Sequence, residues 1–563
     1  MSSHFKWYPA SEEVVVPWNA RYSFPSQANK AVKITPRIPP KNGSVFNPGQ
    51  VVRLEFPAQG YVNPLNTTLE FDVTLYTFAA STTAGIMRFQ NNIQSIFNRV
   101  RLLYGATPLE DMINYNVIVR GLTEWTATNT HNTMDQTSVA EGIGGCAVAS
   151  DNTSFFGLSN VRQKYIQGTS SCAPASSSDF QGGFGFSNVP QASDTAGSPT
   201  ATAGTFVTRR YQINFALGLF TQDKLIPTKF MASQLAIEIS LEQPAACIYV
   251  PPTSTTAVTY SVGSAPTYSV SNVNLIPEIL EFDASYDSMF LAGLRDGGVP
   301  LKFSSWHTFL FSSGGAASCN LLVQERSRSV KALFAVQRRA QPSFFTDSHA
   351  LFFDTSGTST TLQNYQFRIG GRYFPAAPVQ TSSSVGSPYS NGGAEAYTEL
   401  AKALNMVGDY RLSSGVNASK WAVQSGAITA VQTAPGFAAT VASGVLQEFD
   451  FTMSIGSYSN AGIPNIRGIE GKNNSFCGAM GSSCFAMATD LETSNGVEIS
   501  GLNAEEQSDI SLIANWQAPQ VTGSTYTINS NVITGATPSA LEVYSYYDAM
   551  IVLRENNVLE LIQ

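Results

Sequence analysis

At 563 residues the chain is too long for one ordinary core and divides most naturally into two or three domains. Only 13% of its residues are charged, about half the usual share, and a net charge of −8 excludes broad coating of nucleic acid. So little charge suits either a secreted β-protein or one that buries its flanks against copies of itself.

Residues 1–45 stand apart. They carry Lys6, Arg21, Lys30, Lys33, Arg37 and Lys41 against Glu12 and Glu13. Prolines at 9, 17, 25, 36, 39 and 40 exclude a long helix, so an extended arm is expected, anchored by Trp7, Tyr8, Trp18, Tyr22 and Phe24. Alternation of apolar and polar residues then predicts strands at Val51–Phe56, Leu69–Tyr76 and Ile96–Tyr104. Further strands are expected at Tyr211–Phe220, Leu235–Leu241, Val330–Val336, Tyr365–Tyr373, Phe449–Ile455 and Ile510–Ile513. Helical spacing is confined to Leu109–Trp125 and Ala394–Val407. Residues 126–205 are rich in Ser, Thr, Gly and Ala, and 243–277 carry no charge until Glu278, so both read as long loops. Few of their residues could form a private core, and packing against neighbouring subunits is expected of them. The reading is all-β: two tandem jelly-roll β-sandwiches with long loops and short inserted helices. An arm covers 1–45, the first jelly roll 46–295 and the second 296–563, with Asp296-Gly297-Gly298 as linker.

Two internal echoes suggest duplication. Leu280–Phe290 aligns without gaps to Leu541–Ile551, matching Tyr286 with Tyr547 and Asp287 with Asp548. Upstream, Ile96–Gly105 is an Arg-bearing strand followed by Pro108 and a helix. Tyr365–Gly371 is another, followed by Pro375, Pro378 and the second helix.

Catalytic patterns are wanting. Gly481-Ser482-Ser483-Cys484 is no nucleophile elbow, and Gly471-Lys472 lacks the rest of a phosphate loop. Gln181–Phe186 is glycine-rich but sits in a loop. The six cysteines (146, 172, 247, 319, 477, 484) form no CxxC pair, and the histidines at 4, 131, 307 and 349 fall at no metal-ligand spacing. Reduced thiols suit assembly inside a cell. Glu505, Glu506 and Asp509 read as solvated acids. Arg326, Arg328, Arg338 and Arg339 read as the polar face of a strand or as partners in an intersubunit ion pair. Trp306, Phe344, Phe345, Tyr373 and Phe374 read as core. No catalytic, cofactor-binding or metal site is expected. The N-terminus shows no signal-peptide pattern, and uncharged Trp421–Gln447 contains Pro435, Gly436 and Gly444, so it reads as a loop and not as a membrane span.

The run Asn364–Pro375, the helix with Glu395–Leu400, then Ala488–Glu492, Ser500–Asn503 and Tyr547–Leu553 resemble, in order, the double jelly-roll major capsid proteins of polinton-like viruses and virophages. Large nucleocytoplasmic DNA viruses and adenovirus hexons are more distant relatives of that family. The resemblance runs over roughly 360–563 and is weaker before that. It implies homotrimers whose six sandwiches make a pseudo-hexagonal block, tiling an icosahedral shell around a DNA genome. It also implies penton and minor or cement proteins as partners. The arm would then lie on the inner face, near genome or an inner membrane, in a virion assembled within the host cell. A carbohydrate-binding β-sandwich and a minor capsid or attachment protein remain as alternatives.

Overall fold

The computed structural model describes residues 31–76, 88–89, 93–126, 206–249, 267–312, 318–339, 362–381, 394–404, 486–492, 500–505, 509–516, 525–528, 531–534, 539–554 and 559–562. Strands β1 (Ala31–Ile34), β2 (Val45–Phe46), β3 (Val51–Glu55), β4 (Tyr61–Tyr76), β5 (Phe97–Tyr104) and β6 (Thr107–Ile113) come first. Helix α1 (Tyr115–Thr126) follows, then β7 (Phe206–Asn214), α2 (Gly218–Thr221), β8 (Leu235–Leu241) and β9 (Thr267–Phe282). Helix α3 (Ala284–Arg295) leads into β10 (Val299–Ser312), β11 (Ser318–Val323), β12 (Val330–Arg339), β13 (Leu362–Ile369) and β14 (Arg372–Gln380). Helix α4 (Ala394–Ala403), β15 (Met487–Asp490), β16 (Ile510–Trp516), β17 (Ser539–Leu553) and β18 (Leu559–Ile562) follow, with a separate hairpin pairing Thr525–Ile528 with Asn531–Thr534 ahead of β17.

The strands form two sandwiches. In the first, a sheet ordered β1-β9-β4-β7 faces one ordered β3-β8-β5-β6. In the second, β10-β17-β12-β15 faces β11-β16-β13-β14. Substituting each strand of the first by its counterpart in the second reproduces the same order in both sheets. Alternation explains why these residues pair this way: Leu69, Phe71 and Val73 of β4 turn inward at 0–1% exposure, beside Val100 and Leu102 of β5 and Ile237 and Ile239 of β8. The second sandwich is filled by Tyr365, Phe367, Leu512 and Ala514, all fully buried.

The upstream echo falls on equivalent hairpins. Gly105 (φ 59°) turns β5 into β6, and Gly370 and Gly371 (φ 54° and 85°) turn β13 into β14. Left-handed backbone at these tips favours glycine. The echo between Leu280–Phe290 and Leu541–Ile551 does not hold. Leu280–Phe282 ends β9, whereas Leu541 lies near the start of β17; Tyr286 is helical and Tyr547 is mid-strand. The cause is local: the Asp283 side chain accepts a hydrogen bond from Tyr286 N, and Arg295 sits in the last turn, so a capped helix begins at Ala284, whereas β17 runs on as strand through the aligned positions.

Other expectations need correction. Residues 267–277, read as the end of a loop, belong to β9, with Tyr268, Val270 and Leu275 buried. Register shifts at Ser271/Asn274 and Ile276/Glu278 break the period of two and accommodate Pro277 within a central strand. Pro244–Cys247 is a short helical turn, and Ile248–Tyr249 pairs with Arg88–Phe89. Leu109–Ile113 is strand, not helix, because β6 is a sheet edge that tolerates Pro108. The apolar run 215–220 leaves the sheet after Asn214 and turns helical at Gly218. The alternation from Leu322 to Val336 is split between β11 and β12.

The described end of the arm is likewise part of the first sandwich. Ala31–Ile34 pairs with Phe282–Ile279, and Ile38 bridges Leu275. Residues 127–205, 250–266 and Phe449–Ile455 lie outside the described residues. Removing residues 1–45 deletes β1 and half of β2 and should lower the melting temperature by well over ~5 °C relative to removal of residues 1–30 alone. Thermal unfolding of the two truncations checks this.

Candidate functional site: the seam between the sandwiches

The described residues that combine burial, ionisable groups and both halves of the chain lie where the sandwiches meet. Trp125 of α1 stacks on Phe334 of β12 with ring centroids 5.3 Å apart, and Trp306 of β10 packs on Phe334 and Tyr546. The buried side chains of the two sandwiches therefore form one continuous apolar cluster.

Beside it, backbone meets backbone. A Cβ placed on Gly218 would lie 2.1 Å from the Ser304 carbonyl oxygen, so only glycine admits this approach of α2 to the edge strand β10. Glu110 of β6 closes the contact. Its Oε2 accepts from Gly218 N (2.8 Å) and Ser305 Oγ (2.7 Å), and its Oε1 accepts from Leu219 N (2.8 Å). Thr308 Oγ1 donates to Ile113 O, and Asn114 Nδ2 to Glu542 Oε1, from one sandwich to the other.

Next to this clamp a cavity of about 390 Å³ opens between the halves, lined by Asp111 and Ile113 on one side and by His307, Phe309, Glu325 and Arg326 on the other. Glu325 is buried and accepts from His307 Nδ1 (3.2 Å), Arg326 N and Ser327 N and Oγ. Burial alone would raise its carboxyl. The His307 bond and charge and the Ser327 donor outweigh that and hold it at about 2. His307 also stacks on Tyr547, with centroids 4.0 Å apart.

A third cluster ties the second sandwich together. Asp548 accepts from Ser304 Oγ and Ser329 Oγ and pairs with Lys331 at 3.1 Å. Burial would lower the Lys331 ammonium, yet Asp548 beside it holds it above its ordinary value. On the first sandwich a row of cross-strand ion pairs runs from β3 to β6: Arg53 to Glu238, Glu238 to Arg101, Arg101 to Asp111. Partly exposed pairs of this kind contribute little each, but together they leave this face without free charge.

The residues singled out in the sequence are dispersed. Arg328 pairs with Glu505 at 2.8 Å within the chain, and the Asp509 carbonyl accepts from Gly370 N. Trp306 is buried, whereas Tyr373 is 47% exposed, contrary to the core reading. Cys247 and Cys319 are unpaired, and burial pushes both thiols up, Cys319 to about 11. Half of the arm's basic residues are paired, Lys33 with Glu278, Arg37 with Glu70 and Lys41 with Glu55, and Lys6, Arg21, Lys30, Glu12 and Glu13 lie outside the described residues. Among the described residues no three His, Cys, Asp or Glu side chains are placed to hold a metal ion, and no helix is long and apolar enough to cross a membrane. Residues Gln181–Phe186, Gly471-Lys472, Gly481–Cys484, Phe344, Phe345, Glu506, His4, His131 and His349, and the cysteines at 146, 172, 477 and 484, lie outside the described residues, as do the side chains of Arg338 and Arg339.

No protein-family profile matches the chain, and no curated protein matches it either. Solved structures do. A chain from the cryo-EM structure of the Sputnik virophage superposes with a TM-score of 0.53 at 10% identity, covering 98% of this chain and 92% of that one. The fold is a double jelly roll. The mavirus major capsid protein (TM-score 0.48, 9% identity, 100% and 94% covered) and the PBCV-1 virus capsid (0.48, 9%, 96% and 99%) also match.

The segments that carried the family resemblance occupy the second jelly roll: the β13–β14 hairpin, α4, β15, the turn at 500–503 and β17. The seam residues carried no such signal. In the sequence Glu110 falls at the start of the helix expected over Leu109–Trp125, and Gly218 in the apolar end of the strand expected at Tyr211–Phe220.

Replacing Gly218 by Ala should force the jelly rolls apart and lower the melting temperature. Gly293→Ala, in a helix where the added methyl meets nothing within 4 Å, should raise stability by roughly 0.5–1 kcal/mol. Calorimetry on the pair distinguishes a seam constraint from a general intolerance of alanine. Because the Glu325 carboxyl is depressed in the folded chain, its contribution is present above the ordinary carboxylate range and is lost as pH falls toward about 2. His307→Ala should therefore move acid unfolding to higher pH and cost on the order of 1–2 kcal/mol near neutrality. An acid titration followed by tryptophan fluorescence reads both.

Proposed function

We propose that this chain is the major capsid protein of an icosahedral DNA virus, a structural protein whose copies meet as homotrimers that tile a shell. The observation that carries the reading is the pairing of two sandwiches with identical strand order on one continuous core, in a fold that runs the length of the Sputnik virophage chain. Three such chains supply six similar units, which is what a block with hexagonal outline needs. The low charge agrees, since lateral faces that pack against neighbours cannot carry unpaired charges cheaply. Its partners are then other copies of itself, with penton and cement proteins at the lattice. Three of the arm's six basic residues are neutralised within the first jelly roll, which lowers the charge it can offer to genome or membrane.

The purified chain should sediment as a trimer or as shell-sized particles at micromolar concentration. Native mass measurement and negative-stain imaging read this directly. A stable monomer that never assembles would overturn the proposal.

A further inference from the structure

Glu110 is 1% exposed, and no Lys or Arg among the described residues pairs with it. Its three donors are two backbone amides of α2 and the Ser305 hydroxyl. The ionisable groups on the elements around it are engaged elsewhere. Asp111, its neighbour on β6, is bound by Arg99 and Arg101 of β5. On β10, His307 is committed to Glu325. On β17, Asp548 is paired with Lys331, Glu542 accepts from Asn114 and Tyr544, and the Tyr547 phenol keeps its proton because of burial and the nearby carboxylates. The helical turn of α2 holds no ionisable side chain.

An ionised carboxylate shut between two domains without a cation is costly, and parting the domains lets water reach it. Neutral Glu110 can still accept from the α2 amides and can donate its own proton to Ser305 Oγ, so the protonated form keeps the bridge at no charge-burial cost. We propose that Glu110 is a proton-operated latch between the two jelly rolls, closed firmly when its carboxyl carries a proton and loosened when it does not. Burial moves this carboxyl upward, and its three donors only partly oppose that. The closed chain thus retains the proton at pH values where an opened chain has released it. The latch is fully effective below the ordinary carboxylate range and weakens as pH rises through the elevated value. The inference concerns the chain itself and stands whether or not it builds a shell.

The test is amide hydrogen exchange on the full chain, corrected for intrinsic exchange rates, at Gly218, Leu219 and residues 304–306 between about pH 5 and about pH 8. Protection in the wild-type chain should fall by roughly tenfold for each unit by which the carboxyl is raised, while Glu110→Gln should show a flat profile. Ser305→Ala, which removes a donor to the charged form and leaves the carboxyl, should deepen the fall. A flat wild-type profile, or one shared by Glu110→Gln, overturns the latch. Should Glu110→Gln fail to fold, the Ser305→Ala profile decides: deeper than wild type supports the latch, and superimposable on it overturns it.

Discussion

The structure depends on the closeness with which an edge strand of one jelly roll meets the other. Gly218 admits the Ser304 carbonyl, and that approach places the α2 amides and the Ser305 hydroxyl around a single carboxylate. With the clamp in place, Trp125 reaches Phe334 and the two cores merge. Either jelly roll alone would leave the seam aromatics and the outer edge of β10 open to water. Joined, they bury them, so the pair behaves as one body.

The two halves solve the same topological problem with different residues. Strand order repeats throughout, and both equivalent hairpins turn on left-handed glycines, yet the details between are unrelated. The first jelly roll seals a sheet face with alternating charges. The second holds its central strands with a buried Asp548, two hydroxyls and Lys331, seated at the register shift between Val330 and Ala332. A layer architecture constrains where apolar residues go and leaves the polar solution free.

That freedom explains what was legible in the sequence. Strands with clean alternation, such as Val51–Glu55 and Leu235–Leu241, are visible because one face is apolar and the other is not. The last strand of the first jelly roll is hidden, because two register shifts and a proline interrupt its period and the outward residues of its first half are Ser, Thr and Asn rather than charges. Helix α3 resembles β17 in its apolar residues, and what separates them is one capping aspartate, Asp283. The seam was not legible at all. Glu110 and Gly218 are 108 positions apart and acquire meaning only when the fold brings them together with Ser305.

The pairing of Ala31 with Phe282 has a kinetic consequence. The first described strand waits for roughly 250 further residues to leave the ribosome before its partner exists, a very long loop to close. Until then β9 is missing from the middle of its sheet, and the sixteen-residue β4 has one flank without its neighbour. Such an intermediate exposes a long strand edge during synthesis, which makes the nascent chain a natural client for chaperones and sensitive to the rate of elongation.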